Sequence, residues 1–296
     1  MPGLSVLLPL HNYDARTLLA ELLAQVPAWP GPVEVLLLDD ASREDVRHLH
    51  RPLAALPGVR YQELPANVGR AAIRNQLVAW AQHEWLLLLD NDSRLPDTQF
   101  LARYAAALAL APVLVGGTAY RAIPPADPAL RLRWHYGRAR EQRPAAERQR
   151  NPGGQLAINN ALLKKEILLR YPFDESLRGY GHEDTRLGLE LARAGVPVGH
   201  LDNPVWHEGL EPAAAFLAKS EQATQNLAQL LRTTGLGADT RLARAAARLR
   251  RLRLAAPARV ALAVLEPLLR RQLLGKQPRL WALDALKLRW LLGAAR

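Results

Sequence analysis

The sequence predicts an α/β fold, a Rossmann-like and mostly parallel sheet flanked by helices, continued by a basic helical extension at the C-terminus. Three observations carry that prediction. Short apolar runs alternate with segments of helical period through the first 120 residues, the pattern of a parallel sheet wound by right-handed crossovers. Several of those runs stop abruptly in polar clusters, most clearly at Leu86-Leu87-Leu88-Leu89-Asp90-Asn91-Asp92-Ser93. Charge is also segregated: residues 1–230 carry 24 Lys and Arg against 25 Asp and Glu, and residues 231–296 carry 15 against 3. The expected organisation is a core domain over 1–230, in two halves at about 1–120 and about 121–230. A basic amphipathic tail over 231–296 follows.

The first strand is Leu4-Ser5-Val6-Leu7-Leu8-Pro9-Leu10, with His11-Asn12-Tyr13 as its exit loop and a helix from about Ala15 to Val26. Val33 to Leu38 forms a second strand that ends in Asp39-Asp40-Ala41-Ser42, before a helix over roughly Glu44 to Leu56. A short strand near Val59 to Glu63 leads through Asn67-Val68-Gly69 into a helix that begins at Arg70 and runs to about Gln82. The leucine strand ending at Asp90 comes next. In open parallel sheets ligands bind beyond the carboxyl ends of the strands, so His11 and Asn12, Asp39 and Asp40, and Asp90 and Asp92 share one functional edge. Two carboxylates alone make a poor closed cage for a metal, but they suit Mg²⁺ or Mn²⁺ that also binds a substrate diphosphate. The competing use of each cluster is an Asx turn or a helix cap.

The ordered set Ser5-Val6 through Pro9 and Asn12, Asp39-Asp40-Ala41-Ser42, Asn67-x-Gly69 with Arg74-Asn75, and Asp90-Asn91-Asp92 resembles the family 2 glycosyltransferases of the GT-A fold. The resemblance covers about residues 4–210. It implies donor contacts from Pro9, Asn12, Asp40, Asn67, Gly69, Arg70, Arg74, Asp90 and Asn91. In that family the residue matching Asp40 contacts the base, and the D-x-D pair matching Asp90 and Asp92 holds ribose and a Mn²⁺ or Mg²⁺ ion. Arg70 or Arg74 would reach the nucleotide, with a structural role beneath it the alternative for Arg74. His11 stands where an aromatic residue is more usual.

Val113 to Gly117 reads as a further strand. The Pro-, Arg- and Gln-rich segment from Ile123 to Pro152 is either an acceptor-side flap or disordered. Gly153-Gly154 reads as a glycine pair entering a strand, where backbone can approach a ligand, and the resemblance adds Gly154 to the donor contacts. Gly179-Tyr180-Gly181-His182-Glu183-Asp184 precedes a segment of helical period, so the two acids fall in a first helical turn and favour the helix dipole. The G-x-G-x-E-D pattern also resembles the acidic motif of inverting GT-A enzymes. That implies Asp184 as catalytic base and Glu183 as the residue that orients the acceptor. After a last strand near Val196 to Leu201, Trp206-His207-Glu208 supplies a histidine where related transferases place a further metal ligand, beside Asp92 and Asp90.

In the tail, Arg241, Arg244, Arg248 and Arg251 alternate with Leu242, Ala245, Leu249 and Leu252 at helical spacing, giving adjoining basic and apolar faces. Val260 to Leu274 and Leu280 to Leu292 add further apolar segments, with Arg270-Arg271, Lys287 and Arg289 interleaved and Trp281 and Trp290 present, so residues 240–296 suit an anionic membrane surface. Packing on the core, on a second subunit as a homodimer, or on RNA are the competing uses, and nucleic acid is the least favoured because no stacking platform is present. The absence of cysteine excludes disulfides and thiolate metal sites. No spanning helix and no signal peptide are expected, which predicts a cytoplasmic setting. The resulting expectation is an inverting, metal-dependent transfer from a nucleotide-diphosphate sugar, foremost a UDP-sugar, to a carbohydrate or lipid-linked acceptor in envelope polysaccharide or glycolipid synthesis. A sugar nucleotidyltransferase is the enzymatic alternative, although the loop after the first strand is not glycine-rich. A non-catalytic scaffold is the other.

Overall fold

The computed structural model describes residues 1–176 and 181–294. These form two compact units. The first comprises residues 1–120, 141–176 and 183–209; the second, among the described residues, comprises 121–140, 181–182 and 210–294. The Gly179 end of the G-x-G-x-E-D motif lies outside the described residues.

In the first unit the order is β1 (Leu4–Leu10), α1 (Arg16–Leu23), β2 (Val33–Asp39), α2 (Glu44–His50), β3 (Val59–Glu63), α3 (Arg70–Trp80) and β4 (Trp85–Leu89). A two-residue strand β5 (Ser93–Arg94) follows, then α4 (Phe100–Ala107), β6 (Val113–Val115) and β7 (Thr118–Ala119). The seven-stranded sheet has the order β3-β2-β1-β4-β8-β6-β9, where β8 is Asn160–Lys164 and β9 is Val198–His200. Strands β3, β2, β1 and β4 are mutually parallel, and β8 is antiparallel to both β4 and β6. Leucine and valine on both faces of the central strands explain this placement, since a sheet covered on two sides buries every residue of its inner strands. Leu7, Leu8, Leu36, Leu37, Leu87 and Leu88 are all essentially inaccessible.

A second sheet of three short strands decides the site. Its order is β5-β10-β7, with β10 (Val205–His207) antiparallel to β5, so that His207 faces Ser93.

Two expectations are corrected. The segment from Ile123 to Pro152 is not disordered: it contains α5 (Arg131–Tyr136), a π-helical turn at Gly137–Glu141 and α6 (Ala145–Arg148). Its polar side chains in the first unit serve the backbone of neighbouring strands. The buried Arg148 guanidinium donates to the carbonyls of Val115, Gly116 and Leu201, and Gln149 bonds Val198 O and the His200 N–H. Gly153 and Gly154 do not enter a strand either, but form a 3₁₀ turn. Gly153 lies against Gly188 of α8 (Glu183–Arg193), and a Cβ on either would fall far inside contact distance of the other's carbonyl oxygen. The glycines thus permit a close approach between turn and helix within the chain.

The remaining element of the first unit is α7 (Lys165–Arg170). The second unit holds α5 together with α9 (Ala213–Thr233), α10 (Arg241–Arg251), α11 (Ala255–Leu273) and α12 (Leu280–Ala294). Helix α9 therefore groups with the basic tail. Phe216, Leu217, Leu269, Leu273, Leu283 and Leu286 form its core with Leu132 of α5. On α10 the side chains fully buried are Ala243 and Ala246; of the expected apolar stripe, Leu242 and Leu249 are half-buried against a second cluster with Leu227 and Leu291, and Ala245 and Leu252 are exposed. Among the described residues no helix is long and apolar enough to cross a membrane.

Because α8 carries the acidic pair, its seating on Gly153 bears on the site as well as on stability. Gly188→Ala is expected to lower unfolding free energy by about 1–3 kcal/mol through overpacking, measured by urea denaturation, while Ala192→Gly on the same helix causes a smaller loss.

Candidate functional site

The site lies along the carboxyl ends of β1, β2 and β4, in the first unit. Pro9 is the penultimate residue of β1, in register with Leu38. The two loops that follow β1 and β2 are locked together. The Asn12 N–H donates to Ser42 Oγ at 2.9 Å, the Arg43 N–H to Asn12 Oδ1 at 2.8 Å, and the Ser42 N–H to Asp39 Oδ1 at 2.6 Å. Asn12 and Ala41 adopt positive φ angles of 52° and 53°. Such angles are uncommon outside glycine and concentrate at ligand-contacting loops.

Asp40 organises the third loop. Its two carboxylate oxygens accept the N–H groups of Val68, at 2.6 Å, and Gly69, at 3.1 Å, while Asn67 Nδ2 donates to the Asp40 carbonyl at 3.2 Å. Gly69, at φ 86°, opens α3 in a conformation that glycine adopts without strain. Asp40 therefore fixes the entrance to α3. Any contact from this carboxylate to a base must use lone pairs that the loop leaves over.

One turn into α3, Arg74 is 4 % exposed and reaches three carboxylates. Its guanidinium lies 3.0 Å from Asp90 Oδ1, 3.5 Å from Asp184 Oδ1 and 3.7 Å from Glu183 Oε1. Arg70, one helical turn earlier and exposed, stands 3.8 Å from Asp90 Oδ2. A charge this deep persists because it is paired on several sides. Residues more than 90 positions apart in sequence, the D-x-D aspartate and the acidic pair of α8, are thereby held on one cation.

Asp184 also accepts the Ile158 N–H at 3.0 Å through its other oxygen. Burial, reinforced by the charges of Glu183 and Asp90 and opposed by Arg74 and the Ile158 N–H, pushes its carboxyl up to about 6. A carboxyl tuned to that range changes protonation near neutral pH, as a general base requires.

Asp92 looks the other way. Its Oδ1 lies 3.5 Å from His207 Nδ1, and its carbonyl accepts the Glu208 N–H at 2.9 Å. His207 packs edge-on against Tyr120, and its Nε2 is buried with no hydrogen-bond partner among the described residues. Nδ1 of this ring stands beside the Asp92 carboxylate, and Nε2 is left as an unsatisfied nitrogen donor of the kind a divalent cation takes together with oxygen ligands. Asp90 does not join this pair: Arg74 and Arg70 hold its carboxylate, and no group of three or more acidic or histidine ligands exists among the described residues. Asn91 lies in the turn between the two aspartates. Gly154 sits in the 3₁₀ turn, where its N–H donates to Asn151 Oδ1 at 3.3 Å.

Sequence reasoning missed three contributors. Tyr13 lies close enough to Asp92 and Glu208 that burial and their two charges hold its hydroxyl protonated above the ordinary range. Gly209 leaves room for the Asp92 carboxylate where a Cβ would collide with it. His50, inaccessible to solvent, accepts the Ala15 N–H at 3.1 Å through Nε2 and turns Nδ1 toward Asp39, under the β1 and β2 loops. Only the short step from His207 to Gly209 carried a sequence signal for any of them.

A Rossmann-like, mostly parallel sheet with a D-x-D turn at the carboxyl end of a central strand is the architecture of a GT-A-type glycosyltransferase. The chain belongs to glycosyl transferase family 2, whose model matches residues 5–168. The match ends before α8, so the acidic pair rests on its own geometry. The fold resembles that of the mannosyltransferase PcManGT from Pyrobaculum calidifontis, solved in complex with GDP-Man and Mn²⁺. That likeness has a TM-score of 0.61 at 19% identity, over 99% of this chain and 87% of the other. It also resembles S. aureus TarS 1-349 in complex with UDP-GlcNAc, with a TM-score of 0.52 at 16% identity over 99% and 90% of the two chains. No individually curated protein sequence matches the chain.

Arg74→Ala leaves Asp90, Glu183 and Asp184 without their shared countercharge and is expected to cost about 3–5 kcal/mol of stability at neutral pH. The loss shrinks on acidification toward pH 5. The Asp184 carboxyl, raised in the folded state, binds a proton there before the unfolded chain does, so folding gains as pH falls. Denaturation curves across that range check both the size and the sign.

Proposed function

We propose that this glycosyltransferase moves a sugar from a nucleotide-diphosphate donor, a UDP-sugar first among candidates, to an acceptor hydroxyl with inversion at the anomeric carbon. The observation that carries the proposal is the buried Arg74 that bridges Asp90, in the D-x-D turn, and the raised carboxyl of Asp184 on α8, which supports Asp184 as the base. Asp40, Asn12 and Asn67 belong to the three interlocked loops that would receive the nucleoside, and Arg70 is the exposed cation nearest the diphosphate position.

Asp92 and His207 would hold a divalent cation, which supplies positive charge to the departing diphosphate when bound. Ionised Asp184 accepts the acceptor hydroxyl's proton as that oxygen forms its bond to C1. The bond from C1 to the phosphate oxygen breaks on the opposite face, and the nucleoside diphosphate leaves with the electron pair. Glu183, beside Asp184, orients the acceptor. No covalent enzyme intermediate is required. The acceptor proposed is a carbohydrate or lipid-linked glycan, and the basic helices of the second unit are the proposed contact to an anionic membrane surface at its cytoplasmic face. A homodimer through those helices is the competing use.

Calorimetric titration of UDP, GDP and dTDP with and without Mn²⁺ tests the donor half. One nucleotide is expected to bind in a metal-dependent way, and Asp92→Ala and His207→Ala each weaken that binding while leaving metal-free binding unchanged. Absence of binding by all three nucleotides would overturn the reading. For the base, kcat/KM should fall about tenfold per pH unit below about pH 6, because the proton acceptor must be ionised. Asp184→Asn removes that limb and lowers kcat by about 10²–10⁴-fold, while donor affinity is retained.

A further inference from the structure

Helix α11 reverses the usual pattern of a surface helix. From Ala256 to Leu268 every residue classed as exposed is apolar. Val264 is 74% exposed, Leu268 63%, Val260 58% and Leu265 45%, with alanines and prolines between them. The opposite side of the helix supplies Leu269 and Leu273 to the core of the second unit, so the outward residues are not a disordered remnant of that core. The two charged residues within this stretch stand at its flanks. Glu266 is engaged by Arg270 and Arg289. Arg259 borders a cleft of about 720 Å³ shared with Val260, Val264, Arg289 and Trp290. Exposed basic residues bracket the patch: Arg250, Arg251 and Arg253 precede it, and Arg271, Lys276 and Arg279 follow. Trp281, at the start of α12, is 62% exposed.

We infer that the outward face of α11 inserts into the surface of an anionic bilayer, with the helix axis in the plane of the interface and the bracketing guanidinium groups on lipid phosphates. This inference rests on the reading of the second unit as membrane-contacting, and it names the element and the face. Thirteen residues of helix span about 20 Å, too short to cross a bilayer and suited to lying within its interface. Arginine stems can cover apolar surface while their heads stay among phosphates, and an exposed tryptophan favours the same depth. Charge decides against the other candidate occupant. A second copy docking through this patch about a two-fold axis would bring two arginine-rich rims together, whereas an anionic membrane complements them.

The sequence pattern spreads the membrane face over residues 240–296, with leucine and arginine alternating most regularly along α10. The structure turns Ala243 and Ala246 of α10 inward and leaves its arginines out, so α10 contributes charge and α11 contributes insertion.

Flotation of the full chain with vesicles tests the inference. The vesicles are phosphatidylcholine alone, or equal parts phosphatidylcholine and phosphatidylglycerol. The wild type is expected to float with the anionic vesicles and to remain behind with the neutral ones. Val264→Glu combined with Leu268→Glu, both exposed and so compatible with folding, should lower partitioning at least tenfold with unchanged thermal unfolding and unchanged nucleotide binding. Arg250→Gln with Arg251→Gln and Arg253→Gln should lower it in a salt-sensitive manner. If the double glutamate variant floats like the wild type while the arginine variant does not, the α11 assignment is overturned and membrane contact stands on charge alone. A wild type that floats with neither vesicle overturns both. A wild type that is dimeric by light scattering, with a monomeric glutamate variant, assigns the face to a second copy and overturns the inference.

Discussion

The guanidinium of Arg74 is the interaction on which the rest of the site depends. Three carboxylates from two distant parts of the chain converge on it, and none of them would tolerate the others without a shared cation in so enclosed a place. The balance is uneven. Arg74 holds Asp90 most closely, at 3.0 Å, and Asp184 only at 3.5 Å. Asp184 therefore keeps a carboxyl raised by burial, while the arginine keeps it from rising further. A closer pair would have held that carboxyl down as a stable ion pair.

The two aspartates of the D-x-D turn are divided by this arrangement. Asp90 faces the cation beneath the site, and Asp92 faces a histidine delivered by a different sheet. The small β5-β10-β7 sheet is what makes that division possible, because the chain runs directly from Asp92 into β5 and pairs there with β10. Gly209 then leaves space for the Asp92 carboxylate. One aspartate meets the Arg74 guanidinium, and the other stands beside the His207 imidazole.

The β1 and β2 loops show the same economy. Asp39 and Asp40 are adjacent, yet one secures the turn into Ser42 and the other secures the start of α3. Rigid loops at the sheet edge limit the entropy lost when a nucleotide is received. The second unit follows a different logic. Its core is ordinary, but α11 leaves an aliphatic face in solvent that stable monomers seldom carry, and the surrounding arginines say what chemistry would cover it.

The sequence by itself determined that the first four strands are parallel and separated by helices, that polar clusters end three of them at one edge, and the family. Continuous leucine and valine runs ending in Asp or Asn admit few other arrangements once helices separate them. It also determined the two acidic positions on α8 and the separation of a basic tail. The tertiary structure alone decided which carboxylate meets which partner. Asp90 and Asp92 are two residues apart and chemically identical, and only the position of Arg74 and of β10 assigns them opposite roles. It also decided that Gly153 seats a helix, that the Arg- and Gln-rich segment saturates strand edges, and that α11 presents the exposed apolar face. Each of these depends on pairings between residues far apart in the chain, and local periodicity carries no information about a partner that another element supplies.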